Sequence, residues 1–147
     1  MTTSITNDED VIDTRELIAR IEDLESTKAA LEEDVENATT QVEASDATRA
    51  LNVFAQDEGL ELKLLLDFAS ECETLSDYHY GETLIRESYF PNYIEQLIDE
   101  CYPMPEGFNS SNWPFNHITI DIAGAAEEAK QDYTCIEFDG VTYYARG

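Results

Sequence analysis

Two histidines, three cysteines and thirty-three carboxylates are the side chains here that could bind metals, move protons or attack a substrate. His79 follows Asp77 by two residues in DYHYG, and His117 precedes Asp121 by four in FNHITID. Either pair could supply half of a metal site, but no third ligand follows at a metal-binding spacing. Cys72, Cys101 and Cys135 lie far apart without a CxxC, so neither a zinc knuckle nor a disulfide framework is indicated. The sequence has no Gly-rich phosphate loop and no GxSxG elbow. The FDG near the end lacks the surrounding acids of a calcium loop. With so many acids, no one carboxylate pair singles itself out for glycoside chemistry. The reading is a protein without catalytic residues, metal or cofactor.

The carboxylates are still the outlier. Thirty-three acids against eight bases leave a net charge of −25 on 147 residues. Repulsion of that size opposes compaction. It also makes nucleic acid and anionic membranes poor direct partners. A basic protein is the natural partner, and many basic proteins hold DNA or RNA. A high-salt proteome would also produce an acidic chain with only three lysines. The 42% hydrophobic share, with eight Tyr and six Phe, is enough for a core. The polar, acidic opening MTTSITNDED is unlike a signal peptide, and the longest apolar run, at Leu64-Leu65-Leu66, is too short to cross a bilayer. The cysteine usage fits a reducing compartment, so a cytoplasmic location is expected.

The elements that would carry the charge come next. Residues 1–12 are expected to fray. From Thr14 a heptad seam runs through Leu17, Ile21, Leu24, Lys28, Leu31, Val35, Ala38 and Val42. A second apolar series follows: Leu51, Phe54, Ala55, Leu62, Leu65, Leu66, Ala69 and Cys72, with Ser45 or Asp46 as its cap and Gly59 as a bend. Together they predict an acidic helical hairpin or coiled coil over 13–75. Residues 76–147 are richer in aromatics and predict an α+β unit. Within it, 82–88 is a strand or turn, Pro91 opens a helix, 102–115 is a loop and Asp121 caps another helix. CIEF-DG-VTYY closes it as a β-hairpin, because Asp-Gly suits a type I′ turn. The fold class is α+β: a helical hairpin, then a small helical domain ending in a β-hairpin.

On a helix, Glu22, Glu25, Glu33, Glu36 and Glu43 share one stripe, flanked by Asp23, Glu32 and Asp34. A continuous helix from 22 to 43 would extend the stripe over about 32 Å. A helical hairpin about 45 Å long would match duplex DNA bearing about 26 phosphates. Glu95, Asp99, Glu100, Glu127, Glu128 and Asp132 extend the acidic surface into the second half. These fourteen residues are the expected contact surface for a positive cleft. An ordinary solvated helix face would look similar taken one helix at a time.

HYGETLIRESYFPNYIEQLIDE (79–100), NWPFNHITIDIAGAAEEAKQDY (112–133) and IEFDGVTYYAR (136–146) resemble ArdA-like antirestriction proteins, small acidic proteins of phages and mobile elements. The resemblance covers about 70 residues. It implies an ArdA-like α+β domain, a homodimer and mimicry of duplex DNA inside type I restriction–modification enzymes. The function expected is therefore inhibition of a host restriction–modification or CRISPR–Cas complex by occupying its basic groove. The alternative is an acidic coiled-coil adaptor or assembly protein without mimicry.

Overall fold

A computed structural model describes residues 2–102 and 112–146. Most of the expected 102–115 loop lies outside the described residues. The described chain is mixed helix and sheet. Strand β1 (Val11–Asp13) leads into helix α1 (Thr14–Asn37), followed by α2 (Gln41–Gln56) and α3 (Glu58–Cys72). Strand β2 (Thr83–Arg86), α4 (Phe90–Cys101), α5 (Ile122–Ala129), β3 (Thr134–Phe138) and β4 (Val141–Ala145) complete it. The four strands form one antiparallel sheet in the order β1-β2-β4-β3.

Side-chain alternation along the strands divides the core in two. Leu84, Ile136, Phe138, Tyr143 and Ala145 join Leu17, Leu24, Leu65 and Phe68 of α1 and α3 in one cluster. Phe68 stacks on Phe138 with ring centroids 4.4 Å apart. Ile85 and Tyr144 face the other way and join Phe90, Ile94 and Ala126 of α4 and α5. The sheet is therefore the middle of three layers. A boundary at 75/76 would cut through the first cluster, so the expected halves share one core.

Residues 1–12 differ from the expected frayed end in being packed over 2–12. Ile5 and Ile12 are buried, and Val11–Asp13 pairs with β2. A run of side-chain bonds fastens the segment. The Thr2 hydroxyl donates to Asp23 Oδ2 at 2.8 Å, and the Ile5 amide donates to Glu61 Oε2 at 3.2 Å. Asn7 Nδ2 donates to the Asp139 carbonyl, and the Tyr143 hydroxyl donates to the Glu9 carbonyl. The local sequence is polar because its partners lie elsewhere in the chain.

The expected second helix is two. It begins at Gln41 rather than after Ser45 or Asp46, and it breaks at Asp57, where φ is −112° and ψ −68°. Gly59 falls in the first turn of α3. Helix α1 packs against both α2 and α3. The final hairpin matches the reading, with positive φ at Asp139 (47°) and Gly140 (80°) as a type I′ turn requires. Pro91 and Asp121 stand at the starts of α4 and α5 as the sequence implied.

Candidate functional site

Helix α1 starts on a firm base. Asp13 caps it, accepting from the Arg15 amide at 2.8 Å, and Leu17, Ile21 and Leu24 bury its inner face. Arg20 is buried beside them and makes a two-pronged contact with Glu61 of α3, Nε–Oε2 2.8 Å and Nη2–Oε1 2.9 Å. Burial pushes the Glu61 carboxyl up, but the Arg20 guanidinium and the Ile5 amide outweigh it, leaving the group below its ordinary range. Rotation of α1 about its axis is thereby fixed.

After Leu24 the inward face thins. Lys28 is exposed, while Leu31, Val35 and Ala38 are half-buried, so the far end of α1 is packed less deeply than its start. On the opposite face stand Glu22, Glu25, Glu33 and Glu36. Taking about 100° per residue, they fall within an arc of about 80°. All four are exposed, and none makes a hydrogen bond or ion pair with a described residue. Glu32 and Asp34 flank them and are equally exposed.

The stripe is shorter than expected. Helix α1 ends at Asn37, and Ala38 turns to an extended conformation at φ −63°, ψ 130°. Glu43 therefore sits in the first turn of α2 and not on the same helix. The cause is a capping box: Thr40 Oγ1 accepts from the Glu43 amide at 3.1 Å, and Glu43 Oε2 accepts from the Thr39 amide at 3.0 Å. Those bonds from Thr39 hold the Glu43 carboxyl below its ordinary range. The stripe proper, Glu22 to Glu36, spans about 21 Å.

Two more of the fourteen expected residues have local work. Asp23 accepts from the hydroxyl and amide of Thr2, which lower its pKa. Glu127 pairs with Lys130 at 2.8 Å. Glu95, Asp99, Glu100, Glu128 and Asp132 are exposed on α4, α5 and the 3₁₀ turn after it. They lie across the sheet from α1, since α4 and α5 pack on its other face. The acids thus form two surfaces rather than one.

The histidines and cysteines stay apart. His79 is exposed and meets the Tyr78 ring edge-on at 4.9 Å, and His117 is exposed in a 3₁₀ turn. Cys72 is buried, its thiol pushed up to about 12 by burial and the nearby Glu71, while Cys101 and Cys135 are exposed. Among the described residues, no group of three or more His, Cys, Asp or Glu is arranged to hold a metal ion, and no helix is long and apolar enough to cross a membrane.

Sequence reading missed Glu61 and Glu82. Glu61 forms the buried pair with Arg20, 41 residues away, which no local spacing signals. Glu82 is 8% exposed within a Gly-Glu-Thr turn into β2. No family model matches this chain, and no curated protein or solved structure matches it.

Proposed function

We propose that this protein is an anti-defence inhibitor of a phage or mobile element that imitates a polynucleotide backbone and occupies the basic DNA groove of a host restriction–modification or CRISPR–Cas complex. The observation that carries the reading is the outward row Glu22, Glu25, Glu33 and Glu36, unpaired among the described residues and mounted on a helix whose base is locked into the core. Carboxylates on a rigid helix reach a receptor without an ordering cost on binding. The net charge of −25 and the resemblance of residues 79–146 to ArdA-like proteins support the same reading.

The test starts from a tagged protein captured on its target from a defended host. The complex weakens more than tenfold between about 50 and 200 mM salt, in the manner of a phosphate-reading groove. DNA and the inhibitor exclude one another. The quadruple variant E22Q/E25Q/E33Q/E36Q binds weakly yet folds normally. A complex that ignores salt and still holds DNA would end the proposal.

A second reading has an observation of its own. Val42 and Val53 are 71% and 57% exposed on one side of α2, two apolar side chains that an adaptor would bury against a partner. Under that reading, V42D/V53D abolishes assembly while the quadruple glutamine variant assembles normally. Leu24 is unsuited to such a test, because it is 1% exposed and its loss would unfold α1.

A further inference from the structure

Helix α2 turns Ala47, Leu51 and Phe54 inward; Phe54 is buried and the other two are half-buried. At about 100° per residue, Val42, Asp46, Arg49 and Val53 fall within an arc of about 60° on the far side of the helix. All four are exposed, and Asp46 and Arg49 make no hydrogen bond or ion pair with a described residue. Beside them runs a shallow groove of about 600 Å³, with Ser45, Thr48 and Asn52 in its lining and no carboxylate there. In a chain of net charge −25 this is the least negative of the α-helices. It holds Glu43 and Asp46 against Arg49, whereas α1 holds eight acids against three bases.

The positions 42, 46, 49 and 53 are spaced 4, 3 and 4 apart, the spacing of a seam between two packed helices. Their chemistry is also self-complementary: valine, acid, base, valine. Two copies of α2 laid antiparallel, with a two-fold axis passing between residues 47 and 48, set each Val42 against Val53 of the other copy. The same register sets each Asp46 against the other copy's Arg49. Every contact in such an interface occurs twice. Two valine contacts, about 16 Å apart along the helix, would thus bracket two ion pairs. A parallel pair in register would instead oppose acid to acid and base to base. An unrelated partner would call for no such internal symmetry, and the scarcity of acids on α2 lets two strongly negative molecules approach here rather than elsewhere.

We propose that the outward face of α2 is the interface of a homodimer, closed by antiparallel pairing with α2 of a second copy of this chain. The proposal does not depend on the mimic reading.

Sedimentation equilibrium of the full-length protein reads the monomer–dimer balance. It runs from about 5 μM to about 1 mM, in about 150 mM NaCl so that distant charges are screened. The parent dimerises weakly, as suits an interface of one helix from each copy. Asp46→Arg opposes arginine to arginine and Arg49→Asp opposes aspartate to aspartate, so each variant alone dimerises at least about tenfold more weakly. Mixed one to one, the two variants regain both opposite-charge pairs and form a heterodimer within about threefold of parental strength. Asp46→Arg also lowers the net charge, so it would strengthen association through any other surface. Val53→Asp alters neither member of the ion pair and is an independent arm, expected to be monomeric. Amide spectra establish that each variant folds. A parent that stays monomeric throughout overturns the proposal. So does a mixture that stays monomeric, or any single variant that dimerises as the parent does. Each of these failures would leave the mimic reading intact, because that rests on competition with DNA.

Discussion

Glu61→Gln is the most informative single change to the scaffold. Glu61 accepts from Arg20 Nε at 2.8 Å, Arg20 Nη2 at 2.9 Å, the Ile5 amide at 3.2 Å and Ser4 Oγ at 3.2 Å. The side chains of Arg20 and Glu61 are 11% and 14% exposed. In the variant Arg20 loses its counter-charge and one of two acceptors: the glutamine amide oxygen accepts a single bond, Thr2 still accepts from Nη1, and Asp23 stands 3.8 Å away. Stranding one member of a buried pair costs about 3–5 kcal/mol, and the remaining water contact points to the lower end, about 3 kcal/mol. For a domain of this size that is a fall in Tm of about 6–12 °C. Urea unfolding and calorimetry measure it directly. The companion double variant R20M/E61L should be more stable than Glu61→Gln, since it removes both charges together, with the loss of the acceptor for the Ile5 amide as its remaining cost.

The same residue carries a pH signature. Its carboxyl is lowered in the folded state from an ordinary value of 4.5. Its stabilisation is therefore complete above 4.5 and is lost as pH falls through the lower folded value. The gap between parent and Glu61→Gln should close on acidification below 4.5. A gap under about 0.5 kcal/mol at neutral pH, or one that does not narrow in acid, would refute the assignment of Glu61 as the anchor.

Other expectations are simpler. With −25 of net charge, raising NaCl from about 20 to 500 mM should raise Tm by screening self-repulsion; an unchanged or lower Tm would contradict it. Gly81 has φ +114°, well outside the left-handed region an L residue can enter, and an added Cβ would only push aside the exposed Arg15 tip, whereas Gly140 at φ +80° lies close to that region with nothing within 4 Å. Gly81→Ala should thus cost more than Gly140→Ala, about 3 against 1 kcal/mol in urea unfolding. Thr40→Ala removes the α2 cap and should cost about 1 kcal/mol, visible as faster amide exchange confined to the first turn of α2.

Local signals carried through wherever they were complete. Asp139-Gly140 gave the hairpin turn because few sequences satisfy two positive φ angles, and Leu17, Ile21 and Leu24 gave the buried face of α1. The end of α1 was also written in the sequence: Thr40-Gln41-Val42-Glu43 is a capping box, hidden beneath a heptad pattern that runs across it. Strand β1 was not legible, because three residues show no alternation and its partner, β2, lies about seventy positions away. Nor was the division of the acids, since which side of the sheet a helix covers is decided by the strands between them.

The placement of β4 bears on how the polypeptide is made. It is the last strand in order of synthesis, yet it lies inside the sheet and is hydrogen-bonded to both β2 and β3. On the ribosome, the leucine-rich helices emerge well before the surface that will cover them. The sheet must therefore stay incomplete until β4 has emerged, and the heavy like charge of the preceding segments would help keep such unfinished copies from clumping.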